Sequence, residues 1–308
     1  MSKIFSNSQS KRSVTVFVLF YLLLIGCKEK FVQNADPIYL NEINQWHQKR
    51  IENLKKENGW LNLVGLYWLK SGENKFGSAK DNEIVFPSKA PDHIGTINLN
   101  DSIVTIKVLP DKKVLYNDAE VSEMAMQIDL SGDPTILQLN SLRWFIIKRG
   151  EKYGIRLRDL EAPLLKEFKG IDSFPADTNW CIETKFVPYI SPRKIIVPNI
   201  LGDSEEEIVS GKLVFKLEGK EFSLDPIDSG KRLFIIFADE TNGESTYGAG
   251  RFLYTDKSDS TGKVILDFNK AYNPPCAFTK FATCPLPPEQ NRLGIKITAG
   301  EKSFGVAH

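Results

Sequence analysis

Three histidines, three methionines and four cysteines are all that this 308-residue chain carries of those types. So few imidazoles and thiols exclude a histidine-rich metal centre and leave His47, His93 and His308 as the only imidazole bases. Charge of one sign is missing too. The formal net charge is +1, which removes the basic field that a nucleic-acid binder uses. Long apolar runs are absent as well. The best, Val14–Ile25, spans 12 residues, where a membrane helix needs about 20. No Gly-x-Ser-x-Gly elbow and no Walker loop occur, and Gly248-Ala249-Gly250 enters a strand-like run rather than a helix, so it is no dinucleotide fingerprint. What remains is an ordinary globular composition, 42% hydrophobic and 26% charged, with apolar side chains enough for a large core.

An address is written at the N-terminus. Residues 1–26 carry Lys3, Lys11 and Arg12, no acid, and then the short apolar run, which is the pattern of a secretory signal peptide. Leu24-Ile25-Gly26-Cys27 resembles the bacterial lipobox. That resemblance implies cleavage before Cys27, a lipid on its sulfur, and the membrane as a partner through that lipid. The expected location is the cell envelope, with the protein anchored to a membrane outside the cytoplasm, the outer membrane foremost. Lys28-Glu29-Lys30 resembles a surface-export signal with only one acid, so surface exposure is a further expectation. In an oxidising compartment Cys181, Cys276 and Cys284 cannot all pair within the chain. Cys276–Cys284 is the expected disulfide, and Cys181 reads as a small buried apolar residue.

Residues 27–36 read as a tether and 37–59 as the one convincing helix. Asp36 caps it, Pro37 suits its first turn, and Asn58-Gly59 supplies the stop. Its apolar stripe is Ile38, Ile43, Trp46, His47, Ile51 and Leu54, with Lys49, Arg50, Lys55 and Lys56 turned to water. From Trp60 the period changes to two. Trp60–Leu69 reads as a strand buried on both faces, and strand-like runs follow at Ile103–Val108, Thr135–Leu139, Leu142–Lys148 and Tyr153–Arg158. Leu213–Leu224 reads as a hairpin turning at Glu218-Gly219, and Leu233–Ala238, Gly250–Tyr254, Val264–Phe268 and Ile295–Thr298 complete the set. Short strands at such spacing predict an all-β protein of mainly antiparallel sheets, sandwich- or barrel-like, with one N-terminal helix. Residues 60–165 form the N-terminal β part and 166–308 the C-terminal one.

Gly72–Ser78 followed by Asn82–Phe86 resembles the opening of a forkhead-associated domain, a β-sandwich that binds phosphothreonine peptides through an arginine after the glycine. Ser78 stands in the arginine's place. Without that guanidinium fork the stretch predicts the sandwich and not the phosphopeptide.

A second resemblance is broader. Trp60–Leu69, Phe76-Gly77-Ser78, Phe168-Lys169-Gly170, Tyr247–Phe252, Asp267–Phe278, Ala282–Pro288 and Asn291-Arg292-Leu293 together resemble domain-of-unknown-function family 1684. The resemblance implies one structural unit and brings no activity, so no catalytic role can be carried over.

Asp267–Leu293 is the richest stretch. Prolines 274, 275, 285, 287 and 288 stiffen a loop that holds amide, phenol and guanidinium groups, and preorganisation lowers the ordering cost of binding. The expected ligand pocket is lined by Tyr247, Arg251, Asp267, Asn269, Tyr272, Asn273 and Asn291, for a small polar or carbohydrate-like molecule. Gly248 and Gly250 beside Arg251 would permit close backbone approach. The bland alternative pairs Arg251 with Asp267 and leaves the asparagines bracing loops. No cofactor, metal or nucleic-acid partner is expected, because Cys276, Cys284 and His93 match no common zinc spacing. Asp239–Glu244 reads as a solvated acidic loop rather than a catalytic carboxylate pair. Two other functions stay open: a hydrolase using Asp267 or Cys276 with Arg251, and an envelope assembly subunit.

Overall fold

The computed structural model describes residues 36–305. The expected signal peptide 1–26, the expected lipidation site Cys27, the tether up to residue 35 and His308 lie outside the described residues.

Asp36 accepts from the Ile38 amide at 2.9 Å and Pro37 opens the helix Pro37–Lys55. It stops four residues short of the expected end, and Lys56–Gly59 forms a turn closed by the Gly59 amide on the Lys56 carbonyl. The helix face also differs from the expected stripe. Ile38 is exposed, whereas Tyr39 points inward and Arg50, expected in water, reaches the buried Glu301 at 3.2 Å.

The N-terminal β part is a sandwich of two sheets. One runs Leu63–Trp68, Lys152–Asp159, Leu142–Arg149, Leu137–Leu139, Leu115–Tyr116, Ala119–Glu120; the other Ile84–Val85, Gly72–Gly77, Gly95–Asn100, Ile103–Val108, Glu123–Met126. Period-two alternation sends Trp144, Ile146, Ile155 and Leu157 inward against Phe76, Ile97 and Ile106. Each such buried side chain contributes roughly 1.5–3 kcal/mol. The other face of the Leu142–Arg149/Lys152–Asp159 hairpin carries Arg143, Phe145 and Arg149 beside Arg156 and Arg158, with Arg143 directly opposite Arg158 and Phe145 opposite Arg156.

The C-terminal part builds a second sheet pair. One sheet runs Lys220–Leu224, Ser204–Leu217, Cys181–Pro198, Lys263–Asp267; the other runs Ile227–Ser229, Arg232–Asp239, Arg251–Asp256, with Arg292–Leu293 parallel to Arg232–Asp239. Leu213, Phe215, Ile235, Phe237, Leu253, Leu266 and Phe268 fill the space between them. Two strand expectations change. Leu63–Trp68 is not buried on both faces: only Leu63 and Gly65 are fully buried, and Val64, Leu66, Tyr67 and Trp68 are half-buried. Ile295–Thr298 is extended but forms no ladder, because side chains take its backbone groups: the Ile297 amide donates to Asp239 Oδ1 at 3.2 Å and its carbonyl accepts from Arg251. The protein is all-β with one substantial helix, and the described residues 36–305 fall within one compact unit.

Candidate functional site

The helix lies against the Lys263–Asp267 and Arg251–Asp256 strands and encloses a hollow of about 400 Å³ between them. Tyr39, Trp46, Arg232, Tyr254, Asp267 and Tyr272 are among its lining residues. Tyr254 and Tyr272 lie nearly parallel, centroids 6.4 Å apart, and Trp46 tilts onto Tyr272 at 6.3 Å, so one wall is an aromatic platform. Arg232 sits 4.3 Å over the Tyr254 ring.

Asp267 ends its strand inside this hollow and is 7% exposed. Its Oδ1 is saturated: the Tyr39 hydroxyl donates at 2.8 Å, the Asn269 side-chain amide at 3.0 Å and the Asn269 backbone amide at 3.1 Å. Its Oδ2 accepts no hydrogen bond. The Lys270 ammonium stands 3.5 Å from it, outside good hydrogen-bond range, and is instead held by Glu42 at 2.6 Å. A buried carboxylate oxygen without a donor is an unfilled acceptor. Burial and then the Asp267 charge push the Tyr39 phenol far up, and burial first, with Tyr254 second, does the same to Tyr272. Both phenols stay protonated donors. Cys181 faces Asp267 across the ladder and its thiol is likewise pushed up by burial and that carboxylate, so it is no ready nucleophile. For Lys270 burial pulls down, but Glu42 and Asp267 outweigh it and the net shift is upward.

The seven residues expected to share one pocket separate. Asp267 and Tyr272 line this hollow, and Asn269 supports it from behind by clamping Tyr39 and Asp267. Asn273 braces the C-terminal segment, donating to the Lys302 carbonyl at 2.7 Å while its own amide goes to Glu301. Asn291 is wholly occupied in joining Asp225 to Ile236. Tyr247 lies in a different depression, with Ile200, Cys276 and Phe278. Arg251 is fully buried and pairs with Asp239 at 2.6 Å rather than with Asp267. Asp239 therefore belongs to the core and not to a solvated loop. The close approach at Gly250 is to the chain itself: at φ 96° an added Cβ would meet Pro287 at 2.4 Å and the Phe237 carbonyl at 2.8 Å.

Cys276 and Cys284 form the expected disulfide, Cα atoms 6.1 Å apart. Cys276 thus has no thiol to attack with, and Arg251 has no free fork to clamp with. Among the described residues no three His, Cys, Asp or Glu side chains converge as metal ligands. The forkhead-like corner braces itself: Ser78 hydrogen-bonds Asp92 at 3.2 Å, and Asn82 donates to the Asp92 carbonyl. A carboxylate fills the place where a phosphate would need a cation.

Residues 166–302 match a family described as protein of unknown function (DUF1684). The matched segment contains Asp267, Asn269, Tyr254 and Tyr272, whereas Tyr39 and Trp46 precede it. An uncharacterized protein of Haloarcula marismortui, solved by solution NMR, is 29% identical, with 46% of this chain and 80% of that one covered at a TM-score of 0.39. The FHA domain of FhaA, solved in complex with the intracellular domain of Rv3910, is 17% identical over 30% of this chain and 97% of that domain, TM-score 0.21. No curated protein matches the chain. Tyr39, Trp46 and Tyr254 were missed from the sequence because aromatic residues at helical or strand spacing read as packing. Tyr39 falls off the apolar stripe, and that displacement was the available signal.

Proposed function

We propose that this protein is a lipid-anchored, exported binding protein for a small saccharide-like ligand seated between the N-terminal helix and the DUF1684 segment. The lipobox-like Leu24–Cys27 junction supports the anchor and the export. The observation that carries the binding is Asp267 Oδ2, a buried oxygen that accepts no hydrogen bond, on a residue that lines the hollow beside Tyr254 and Tyr272. A ring with hydroxyls on its rim and C–H groups on its face satisfies both, donating to the carboxylate and packing against the aromatic side chains that line the hollow.

The test is a thermal-shift screen of the soluble form from residue 28 onward against mono- and oligosaccharides, followed by titration of the hits. Asp267→Asn and Tyr254→Ala should each weaken binding by roughly tenfold to a hundredfold, the worth of one charged hydrogen bond or one stacked ring. Hits whose affinity ignores both substitutions would place the site elsewhere.

A further inference from the structure

The Arg149–Arg156 end of the arginine-bearing face of the Leu142–Arg149/Lys152–Asp159 hairpin is largely withdrawn from water. It is roofed by the disulfide loop and the C-terminal sheets, leaving a hollow of about 350 Å³ away from the Asp267 site. Arg149, Arg156 and Thr283 form one end, and Phe234, Ile236 and Phe252 line an apolar wall. Thr283 Oγ1 accepts from both arginines, at 3.3 Å from Arg149 Nε and 3.3 Å from Arg156.

The two guanidiniums differ in one respect. Arg149 has a carboxylate, Asp129, at 2.7 Å. Arg156 has none among the described residues. It is 5% exposed, its Nε has no acceptor, and its remaining support is the Trp60 ring 5.4 Å away. Burial, reinforced by the charges of Arg149 and Arg158, pushes it down to about 10, so it stays charged at neutral pH. A buried charge without a counter-charge is costly, and natural cores rarely keep one. Glu205 and Glu207 line the same hollow without pairing with either arginine, and burial with the Glu205 charge pushes Glu207 up. Their charges weigh against a second anionic group on the ligand.

We propose that this hollow binds a small organic anion charged at one end, its carboxylate or phosphate head on the Arg156 fork and Thr283, its apolar body against Phe234, Ile236 and Phe252. The planar guanidinium offers two parallel donors to such a head, and the volume suits a molecule of benzoate size.

Benzoate, phenyl phosphate and the neutral isostere benzyl alcohol are titrated into the soluble form by calorimetry. One or both anions should bind, the stronger identifying the head group, and the alcohol should bind at least roughly tenfold more weakly, the worth of a charged hydrogen bond. Arg156→Lys should weaken the anion by a similar factor by losing the fork. Absence of binding by both anions, or equal binding of the alcohol, would overturn the proposal. A ligand-free measurement gives a second handle. Arg156→Met fills the same volume without a charge, so its melting temperature should equal or exceed that of the parent. A clear fall would mean that Arg156 holds the fold through its present contacts, and that result also overturns the site.

Discussion

At the scale of single residues, the buried charges separate into paired and unpaired. Glu301 is fully buried, raised by that burial, and compensated by Arg50 at 3.2 Å. Arg50→Met strands that carboxylate, and the expected loss is about 3–5 kcal/mol, read by urea unfolding. Arg251→Met should cost a similar amount, because it frees Asp239 and two backbone carbonyls at once. A loss below about 1 kcal/mol for either would mean that relaxation admits water to the partner. His47 supplies a pH dependence. Burial, and then the Arg50 charge, hold its imidazole below the ordinary 6.5. A depressed folded pKa contributes stability that is present above the unfolded value and lost as pH falls through the folded one. The melting temperature should therefore drop between about pH 7 and about pH 5, and His47→Gln should remove that part of the drop. Parallel profiles for the two proteins would exclude His47 as the source.

At the scale of elements, the disulfide pins the loop that roofs the arginine hollow. Its ring is small, so the loop-entropy account gives only about 2–3 kcal/mol. Reduction should lower the melting temperature without unfolding the protein at room temperature, and complete unfolding would show that the loop holds the two sheet systems together. The hairpins around Gly150 and Glu218-Gly219 were legible because turn residues with positive φ interrupt clean alternation. The Cys181–Pro198 strand was not, since Pro188, Pro192 and Pro198 read as loop. The fold accommodates them with a register shift between Pro188 and Arg193. Ile295–Thr298 failed in the opposite sense: its alternation is real, but Asp239 and Arg251 outcompete a neighbouring strand for its backbone. Sequence alternation reports burial of one face, not the partner that supplies the hydrogen bonds.

At the scale of the molecule, half of the candidate site was readable and half was not. Asp267 and Tyr272 stood out because a proline-stiffened polar loop is rare in a core. Arg156 and Arg158 did not, because arginines alternating with Ile155 and Leu157 look like the wet side of a sheet. Only the docking of the C-terminal half turns that side inward. The anchor makes its own prediction: metabolic labelling with a lipid precursor should mark the parent and not Cys27→Ser, which should leave the membrane fraction. Equal fractionation of both would refute the lipobox reading.

The clasp between Tyr39 and Asp267 joins positions separated by 228 residues, and that between Arg50 and Glu301 joins positions separated by 251. One wall of the hollow is therefore among the first parts of the folded body to emerge and the other among the last. Because the ligand would bridge elements far apart in the sequence, a bound ligand should slow proteolysis at sites far from any atom it touches.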